Sequence, residues 1–205
     1  MLENYAKNDL GVIYQVERRP FVYDDAYIDR GYGTAPVAEM SHLRFGHLVG
    51  VLGHVPDSIL DVGYGSGDFL KCAAKMVTDV NGYDIPPAFP VEGVNIVEGL
   101  YTRHYDVVTF FDAIEHFEDP TEIRNLDANY VHISLPWCHY FSDEWFDGWK
   151  HRKPNEHLWH FNPESLGAFM DSLGFDMMGY CNVEDTIRRP DGDWKNILSA
   201  TFKRR

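Results

Sequence analysis

A glycine-rich turn that directly follows a short apolar run constrains this chain more than any other feature of its sequence. Residues 58–62 read Ser-Ile-Leu-Asp-Val, which is typical of a short buried strand. Gly63, Gly65 and Gly67 come next at alternate positions, and residues 68–77 carry apolar side chains at helical spacing. Because glycine has no Cβ atom, it lets the backbone turn tightly and approach a ligand closely. The sequence therefore predicts a strand, a tight turn and a helix, with a ligand held near the turn.

Apolar runs before and after this unit predict the rest of the fold. A helical period over residues 36–52 predicts a helix before the first strand, and a later helix is predicted to start at Asn162 and to run to about Leu173. Further strands are predicted at residues 80–85, 94–97, 106–111, 130–135, 176–183 and 196–203. Strands that alternate with helices form a parallel sheet, whereas the last two strands, joined without a helix, should pair antiparallel. We therefore expect an α/β fold whose doubly wound, Rossmann-like sheet is mostly parallel, has an antiparallel C-terminal strand pair and is flanked by helices.

The chain of 205 residues is predicted to form one compact unit with two parts. Residues 1–57 are expected to form an N-terminal cap and helix, and residues 58–205 the ligand-binding domain. Within this domain, residues 137–161 are expected to form an aromatic lid over the site or, alternatively, a satellite hydrophobic cluster under a loop. The aromatic residues concerned are Trp137, Tyr140, Phe141, Trp145, Phe146, Trp149 and Trp159. Between Asp84 and Asp106 the chain is short, so loops are expected there in place of crossover helices.

The composition narrows the classes of partner. Acidic residues outnumber basic ones 32 to 18, which gives a formal net charge of -14 at pH 7. Nucleic-acid affinity rests on Lys and Arg at phosphates, and anionic membranes attract basic surfaces, so neither partner is expected. No apolar run is long enough to span a bilayer, the start of the chain lacks the features of a secretory signal, and the three cysteines are scattered. The sequence therefore predicts a cytoplasmic protein with a small-molecule partner.

The spacing of the glycine turn and a second acid indicate the kind of ligand. In a dinucleotide-binding turn, G-x-G-x-x-G, the third glycine would fall where this chain has Asp68. A carboxylate there would repel a pyrophosphate, whereas nearby acids would attract a ligand with a sulfonium cation and an amino-acid tail. Asp84 follows the second strand, where a carboxylate can accept hydrogen bonds from the hydroxyl groups of a ribose. A plain strand-to-helix turn is the alternative.

Five segments of the chain, taken in order, resemble the class I S-adenosylmethionine-dependent methyltransferases. The similarity is to the small-molecule group with the UbiE-like and type 11 pattern, and it covers about residues 58–175. The matching segments are residues 59–67, 82–84, 105–120, 134–136 and 156–166. The resemblance implies S-adenosylmethionine as the cofactor, with S-adenosylhomocysteine as its product.

The resemblance also implies roles for residues around the turn. The glycine turn would hold the methionine tail of the cofactor, Asp84 its ribose, and the loop after the fourth strand would line the methyl site. Arg44 would pair with the methionine carboxylate or would be a solvated helix charge. An acid that binds the adenine is expected soon after the third strand, but the short segment 98–100 leaves its position open. The expected cofactor contacts are Asp61, Gly63, Tyr64, Gly65, Gly67, Asp84, Ile85, Asp112, Ala113 and Arg44.

A histidine near the expected methyl site is the candidate for removing a proton from the acceptor. His116 lies in the loop after the fourth strand, and an imidazole can accept a proton from a hydroxyl at neutral pH. Asp112 and Glu115 precede it, and their charges are expected to raise its pKa above the ordinary value. His157 and His160 are the next candidates, because their segment follows the fifth strand. The alternative is that His116 is a structural histidine bonded to a loop carbonyl.

The histidines and the cysteine between Trp137 and Phe161 do not form a recognised metal-binding pattern. Zinc sites with sharp signatures pair ligands as C-x-x-C or H-x-x-x-H, and this region has only one H-x-x-H pair. Arg152 and Lys153 in the same region would recognise an acidic group of the acceptor or stay in solvent. The sequence therefore predicts no metal site.

Together these features favour an S-adenosylmethionine-dependent methyltransferase that acts on a hydroxyl group of a small molecule, with N-methylation left open. The main alternative is a protein of the same fold that binds the cofactor without catalysis, and the complete glycine turn argues against it. A nicotinamide dehydrogenase conflicts with Asp68, and an aminopropyltransferase would need additional acids around a polyamine site. The sequence predicts neither the identity of the acceptor nor the oligomeric state.

Overall fold

A seven-stranded mixed sheet is the main feature of the protein, as seen in the computed structural model. The structure describes residues 3–21, 37–85, 89–190 and 192–205. In chain order, the strands in these residues are β1 (Tyr5–Lys7), β2 (Ile13–Gln15), β3 (Ser58–Val62), β4 (Asp79–Tyr83), β5 (Asn95–Ile96), β6 (Tyr105–Phe111), β7 (Ala128–Pro136), β8 (Trp159–His160), β9 (Phe175–Cys181) and β10 (Ile197–Arg204). The α-helices are α1 (Val37–Leu52), α2 (Asp68–Ala73), α3 (Asp143–Gly148) and α4 (Pro163–Ser172), and short 3₁₀ helices span Ile114–His116, Pro120–Asn125 and Val183–Thr186.

The parallel strands of the large sheet place the predicted motifs at the same end of the sheet. The order of strands is β5-β4-β3-β6-β7-β10-β9. Strands β3 to β7 run parallel, and β10 lies antiparallel between β7 and β9, which confirms the predicted Rossmann-like sheet and its antiparallel C-terminal pair. Strand β3 has β4 on one side and β6 on the other, so the connections that follow β3 and β6 leave in opposite directions. A crevice opens at the carboxyl ends of such strands. The glycine turn, Asp84 and Asp112 follow the ends of β3, β4 and β6.

Both faces of the sheet are covered, which explains why its central strands are almost wholly apolar. All seven residues of β6 are buried. Neighbouring residues of one strand face opposite cores: Leu60 and Val108 share a cluster with α4, whereas Ile59 and Val107 share one with α1 and α2.

Among the described residues, no helix is both long and apolar enough to cross a membrane.

Local signals set the start of helix α4 but not the end of helix α2. The side chain of Asn162 accepts a hydrogen bond from the N–H of Ser165 at 2.8 Å, and the hydroxyl of Ser165 accepts one from the N–H of Asn162 at 3.0 Å, so a capping box begins α4 where the sequence predicts it. Helix α2 ends at Ala73 rather than at Val77, and Met76, within the predicted extension, is exposed. The predicted start of the first helix, Pro36, lies outside the described residues.

The N-terminal residues contain structure that the sequence does not predict. Strands β1 and β2 pair antiparallel, and β2 also pairs with β8, where Ile13 lies opposite His160. The predicted N-terminal cap therefore contacts the segment 137–161, which itself contains the unpredicted helix α3. The boundary between residues 1–57 and 58–205 stays a prediction, and residues 22–36 are outside the described part. Within the described residues between β4 and β6 no helix occurs, as the sequence predicts.

Candidate active site

An open cleft of about 630 Å³ lies at the carboxyl ends of β3 and β6. Its walls come from the glycine turn, the loop after β6, helix α1, residues 150–157 and the segment before β10. Of the expected site residues, those that line the cleft are Arg44, Asp61, Gly63, Tyr64, Gly65, Asp112, His116 and His157. The other four, Gly67, Asp84, Ile85 and Ala113, do not line the cleft. The cleft thus unites the turn with both expected catalytic histidines.

The turn requires glycine at three positions. Gly63, Gly65 and Gly67 have φ angles of 73°, 53° and 72°, in the left-handed region that side chains disfavour. A Cβ atom on Gly67 would lie 2.4 Å from a methyl group of Val91, and one on Gly63 would lie 3.0 Å from the Cβ of Ala113. The turn therefore presents backbone rather than side chains to the cleft.

Asp84 is fixed at the end of β4 by two backbone amides. Its carboxylate accepts hydrogen bonds from the N–H of Gly65 at 2.9 Å and from the N–H of Ile85 at 2.8 Å. Burial raises the pKa of Asp84, and these two bonds offset only part of the rise. Each carboxylate oxygen has a second lone pair, which leaves acceptor capacity for a ligand hydroxyl. Ile85 contributes its backbone, while its side chain is half exposed.

Asp61 and Tyr64 support the turn on either side. Asp61 is buried and accepts a hydrogen bond from the hydroxyl of Thr109 at 2.6 Å. Burial raises the pKa of Asp61 to about 7, against the opposing effect of the Thr109 bond. The hydroxyl of Tyr64 donates to the carbonyl of Phe89 at 2.7 Å. Asp61 and Asp84 form no ion pair with the described residues, so this side of the cleft holds two carboxyl groups without a paired cation.

The opposite wall rests on a network of two arginines and two carboxylates. Arg44 donates to Glu184 at 2.8 and 2.9 Å and to Asp112 at 3.1 Å. Arg188 donates to Asp112 at 2.7 and 2.8 Å and to Glu184 at 3.2 Å. The hydroxyl of Ser134, on β7, donates to Glu184 at 2.6 Å. The network balances its own charge and ties α1 to β6, β7 and the turn before β10.

These pairings change the expected picture of Arg44. Its side chain is 16% exposed, so it is not a solvated helix charge. Burial alone would lower the pKa of Arg44, but Glu184 and Asp112 raise it above its ordinary value. Burial would likewise raise the pKa of Asp112, but Arg188 and Arg44 hold it below its usual range. Because two carboxylates already occupy the guanidinium, a bond from Arg44 to the cofactor stays a prediction that would require the network to rearrange.

The two expected catalytic histidines lie side by side in the cleft wall. The ring centroids of His116 and His157 are 4.7 Å apart, and the rings are close to perpendicular, at 78°. Burial lowers the pKa of His116 to about 4 and that of His157 to about 2. The expected rise in the pKa of His116 is therefore wrong, because burial outweighs the attraction of Glu156 and Asp112. Both imidazoles are neutral at neutral pH.

Glu115 lies beside these histidines and is almost completely buried. Its side chain is 1% exposed, and neither carboxyl oxygen has a hydrogen-bond partner in another described residue. Oε1 of Glu115 lies 4.0 Å from Nε2 of His116. Burial, and then the charge of Asp112, raise the pKa of Glu115 well above its ordinary value, and its own backbone amide offsets only part of this. The environment therefore favours either a bound proton or a bound cation.

His160 and the aromatic residues of segment 137–161 do not face the cleft, contrary to expectation. His160 is 3% exposed and lies among the rings of Tyr5, Phe146 and Trp149. None of the aromatic residues of this segment lines the cleft, and several pack with Tyr5 and Ile13 as a separate cluster. Tyr140, Trp145, Phe146 and Trp149 pack as the satellite cluster that was the alternative to an aromatic lid, whereas Trp137 and Trp159 pack with the main core. Its contribution to the cleft wall is polar and consists of Lys150, His151, Lys153, Glu156 and His157.

Arg152 and Lys153 take different positions. Arg152 lies over the ring of Tyr5 and pairs with Asp147 at 3.1 Å, away from the cleft. Lys153 lines the cleft and pairs with Glu156 at 2.8 Å. Of these two residues, only Lys153 therefore lines the cleft.

Sequence reasoning missed Glu184 and Arg188 altogether and assigned Glu115 only a charge. Glu184 and Arg188 lie in the connection between β9 and β10, where their i, i+4 spacing is the one local signal. Nothing in the sequence shows that this connection returns to the end of β6. Residues of this kind become visible only when the sheet is assembled.

The sequence matches a known protein family over most of the region that forms the cleft. The family is Methyltransf_23, a methyltransferase domain, and the match runs over residues 39–178. This is more than half of the chain, and it includes most of α1, the glycine turn, Asp84 and both catalytic candidates. No curated protein matches the sequence.

Solved structures of methyltransferases share the fold at low sequence identity. Magnesium protoporphyrin IX methyltransferase from Synechocystis PCC 6803, with bound S-adenosylhomocysteine, is 15% identical with a TM-score of 0.61, over 88% of this chain and 95% of that one. The 1,6-didemethyltoxoflavin-N1-methyltransferase of Burkholderia thailandensis, with bound 1,6-didemethyltoxoflavin and S-adenosylhomocysteine, is 14% identical with a TM-score of 0.59, over 98% and 99%. A Haloferax volcanii protein in complex with the Trm112 methyltransferase activator is 15% identical with a TM-score of 0.59, over 90% and 99%.

The cleft fits S-adenosylmethionine in its chemistry. Gly63 and Gly65 of the turn and the carboxyl group of Asp61 line it, and Asp84 lies behind Gly65 with acceptor capacity left. Neither Asp61 nor Asp84 forms an ion pair with the described residues. A cofactor with a positively charged sulfur and a ribose matches these features. Strand order, cleft and family match agree, and the chain belongs to the class I S-adenosylmethionine-dependent methyltransferases.

Proposed function

We propose that the protein methylates a hydroxyl group of a small molecule and that His116 and His157 assist the removal of its proton. The observation that carries this proposal is the shared cleft: the two imidazoles line the same space as Gly63 and Gly65. A methyl donor at the turn and a hydroxyl at the histidines would meet within one cavity.

On the cofactor side, the proposed contacts are the backbone of the turn, the carboxylate of Asp84 and the loop at Asp112 and Ala113. Two backbone amides orient Asp84, which suits it to receive ribose hydroxyls. When bound, S-adenosylmethionine supplies a methyl group that is already activated by a positively charged sulfur. The chain itself must then align the acceptor and assist the removal of its proton.

The size and the charge of the cleft support a small-molecule acceptor. A volume of about 630 Å³ lies in the range of small-ligand pockets. Lys150 and Lys153 on the outer wall favour an acceptor with a polar or anionic group, whereas the net charge of -14 disfavours nucleic acid. The names of two structural relatives likewise specify small molecules, magnesium protoporphyrin IX and 1,6-didemethyltoxoflavin. The cytoplasmic location stays a prediction from the sequence.

The neutral state of the histidines suits them to the role of proton acceptor. With pKa values of about 4 and about 2, His116 and His157 are unprotonated at pH 7 and can accept a hydrogen bond from a hydroxyl. An imidazole of low pKa is a weak base. It therefore acts when the hydroxyl oxygen is already forming its bond to the methyl carbon and its proton has become acidic.

N-methylation is the second candidate, because the Burkholderia thailandensis relative is an N1-methyltransferase. A nitrogen with an available lone pair needs no base before the transfer. The two reactions therefore differ in how strongly they depend on His116.

Paired acceptors that differ only in a hydroxyl or an amine test the proposal, with release of S-adenosylhomocysteine as the readout. We expect turnover of the hydroxyl compounds, a loss of about 100-fold in kcat for His116→Gln, and unchanged cofactor affinity. His132→Gln is the matched control, because His132 is a buried histidine that bonds Thr201 outside the cleft. Turnover of His116→Gln within about threefold of wild type would remove the base role. Turnover of the amines alone would establish the second candidate.

A further inference from the structure

We propose that Glu115, His116 and His157 bind one divalent metal ion in the wall of the cleft. One ligand atom from each of these side chains lies within 4.8 Å of the other two. Two imidazole nitrogens and one carboxylate oxygen suit first-row divalent ions such as Zn²⁺, Fe²⁺ and Co²⁺. Binding of the ion is independent of the proposed reaction, whereas its role in that reaction rests on the proposed function.

The backbone holds the three side chains together across a long separation in sequence. Glu115 and His116 lie in the 3₁₀ helix after β6, and His157 lies just before β8. The N–H of Leu158 donates to the carbonyl of Glu115 at 2.7 Å, and the carbonyl of Leu158 accepts from the N–H of Gln15 on β2 at 2.9 Å. Three segments are therefore fixed at this point, and the ligand set does not depend on an isolated loop.

Buried polar atoms without partners point to a ligand. Both carboxyl oxygens of Glu115 and Nδ1 of His157 are buried and have no hydrogen-bond partner in any other residue that the structure describes. Glu115 is 1% exposed and His157 is 4% exposed. Leaving such atoms unsatisfied is costly, and native proteins contain few of them. One cation at this point would satisfy atoms of both side chains.

A small movement of the side chains would complete the coordination. Metal–ligand bonds of about 2.0–2.2 Å place the ligand atoms of a tetrahedral ion roughly 3.5 Å apart. The three atoms lie within 4.8 Å of one another, so rotations that bring them closer by about 1 Å are sufficient. Because His116 and His157 line the cleft, the fourth position of the ion would open onto it. Catalytic zinc sites use this arrangement of three protein ligands and one open position.

Contacts behind the two imidazoles orient them for binding. The ring of His116 has a hydrogen bond with the backbone of Glu156, and Nε2 of His157 lies 3.7 Å from Oε1 of Glu156. Such contacts fix the ring orientation of metal-bound histidines. The nearby positive charges do not prevent binding, because Lys153 pairs with Glu156 at 2.8 Å and Arg188 lies in the balanced network.

An ion at this position would act on the acceptor. A hydroxyl bound at the open position becomes more acidic, because the ion stabilises the oxygen anion, and its proton passes to water. The histidines would then act through the ion instead of taking the proton themselves. The sequence predicts no metal site because it offers no local ligand pattern, whereas this ligand set joins two separate segments.

Titration of EDTA-treated, dialysed protein with Co²⁺ tests the site. We expect uptake of one equivalent with visible absorption bands that Zn²⁺ displaces. Glu115→Gln and His157→Gln should each weaken Co²⁺ binding by about tenfold or more. His132→Gln, which removes a buried histidine outside the cleft, should leave Co²⁺ binding unchanged. No uptake by the wild type, or equal affinity in both ligand variants, overturns the proposal.

A second measurement covers variants that do not fold, as judged by circular dichroism. X-ray absorption of the wild-type protein with Co²⁺ reports the ligands directly, and two imidazoles support the site. An ion without imidazole ligands excludes it.

The outcomes separate the metal site from the proposed function. Protein that takes up no Co²⁺ and still methylates a hydroxyl after EDTA treatment would exclude the ion and leave the proposed function intact. Uptake of Co²⁺ at these ligands, with methylation of amines alone, would support the metal site and overturn the proposed function.

Discussion

The two sides of the cleft differ in whether their carboxyl groups are paired with cations. On the cofactor side, Asp61 and Asp84 form no ion pair with the described residues, and burial raises the pKa of both. On the opposite wall, Asp112 and Glu184 are each bound by two arginines. A site with unbalanced acids is prepared for a cationic ligand, whereas a site with balanced charges serves as a scaffold. Glu115 is the exception on this wall, because no arginine among the described residues pairs with its buried carboxyl group, and the proposed cation would take that place.

The largest expected effect concerns the pH dependence of stability at Asp61. In the folded protein this carboxyl keeps its proton up to about pH 7, whereas an unfolded aspartate loses it near pH 3.9. The bound proton therefore favours the folded state below about pH 4, and this contribution is lost as the pH rises to about 7. Over that range, the free energy of unfolding of the wild type should fall by up to about 4 kcal/mol relative to Asp61→Asn.

Urea denaturation at several pH values measures this difference. Asp193→Asn, at an exposed position, is the control and should follow the wild-type curve. If the curve of Asp61→Asn also runs parallel to that of the wild type, Asp61 is ionised in the fold and the contrast between the two sides weakens.

A second test fills the cofactor side with a side chain. Gly65→Val should weaken S-adenosylmethionine binding on the order of 100-fold or more, because a branched residue is strained at φ 53° and would enter the cleft. Gly93→Val is the matched control, since Gly93 also has a positive φ, of 75°, but open space around it outside the cleft. Titration calorimetry with both variants measures the loss. If the two variants bind S-adenosylmethionine with similar affinity, backbone strain rather than a blocked site explains any loss.

A smaller effect is expected when only the charge of Asp84 is removed. Asp84→Asn should weaken S-adenosylmethionine binding roughly tenfold, because hydrogen bonds to a charged acceptor contribute about 1.5–3 kcal/mol each. Asp79→Asn, at the opposite end of the same strand, removes a carboxylate that pairs with Arg103 and should leave affinity unchanged. Calorimetry that finds equal affinity for Asp84→Asn and the wild type would take Asp84 out of the site.

Sequence reasoning described the cofactor side better than the acceptor side, for a physical reason. The glycine turn, its strand and Asp84 follow one another closely, and each carries a local signal: a required positive φ, an apolar run, an acid after a strand. The opposite wall joins residues 112–116, 150–157 and 184–188, which packing brings together. The same difference explains why the mostly parallel sheet and its antiparallel pair followed from alternation, while β1, β2 and α3 did not.

The errors of sequence reasoning share one cause, which is burial. The sequence places charges near His116, but only the fold shows that burial outweighs them. It places a cation at Arg44, but not the two carboxylates that come from distant segments. Aromatic density over residues 137–161 correctly indicated packing, yet the direction in which these rings and His160 point depends on the N-terminal strands.

The pairing of β2 with β8 has a consequence for the order in which the chain assembles. Ile13 precedes the whole large sheet in sequence, yet its partner is His160. Closing so long a loop is slow, whereas the contacts between the glycine turn and Asp84 are local. During synthesis, the residues of the glycine turn and Asp84 are present before residues 150–157 and 184–188 of the opposite wall. An incomplete chain would therefore contain the glycine turn and Asp84 before it contains the residues that complete the opposite wall.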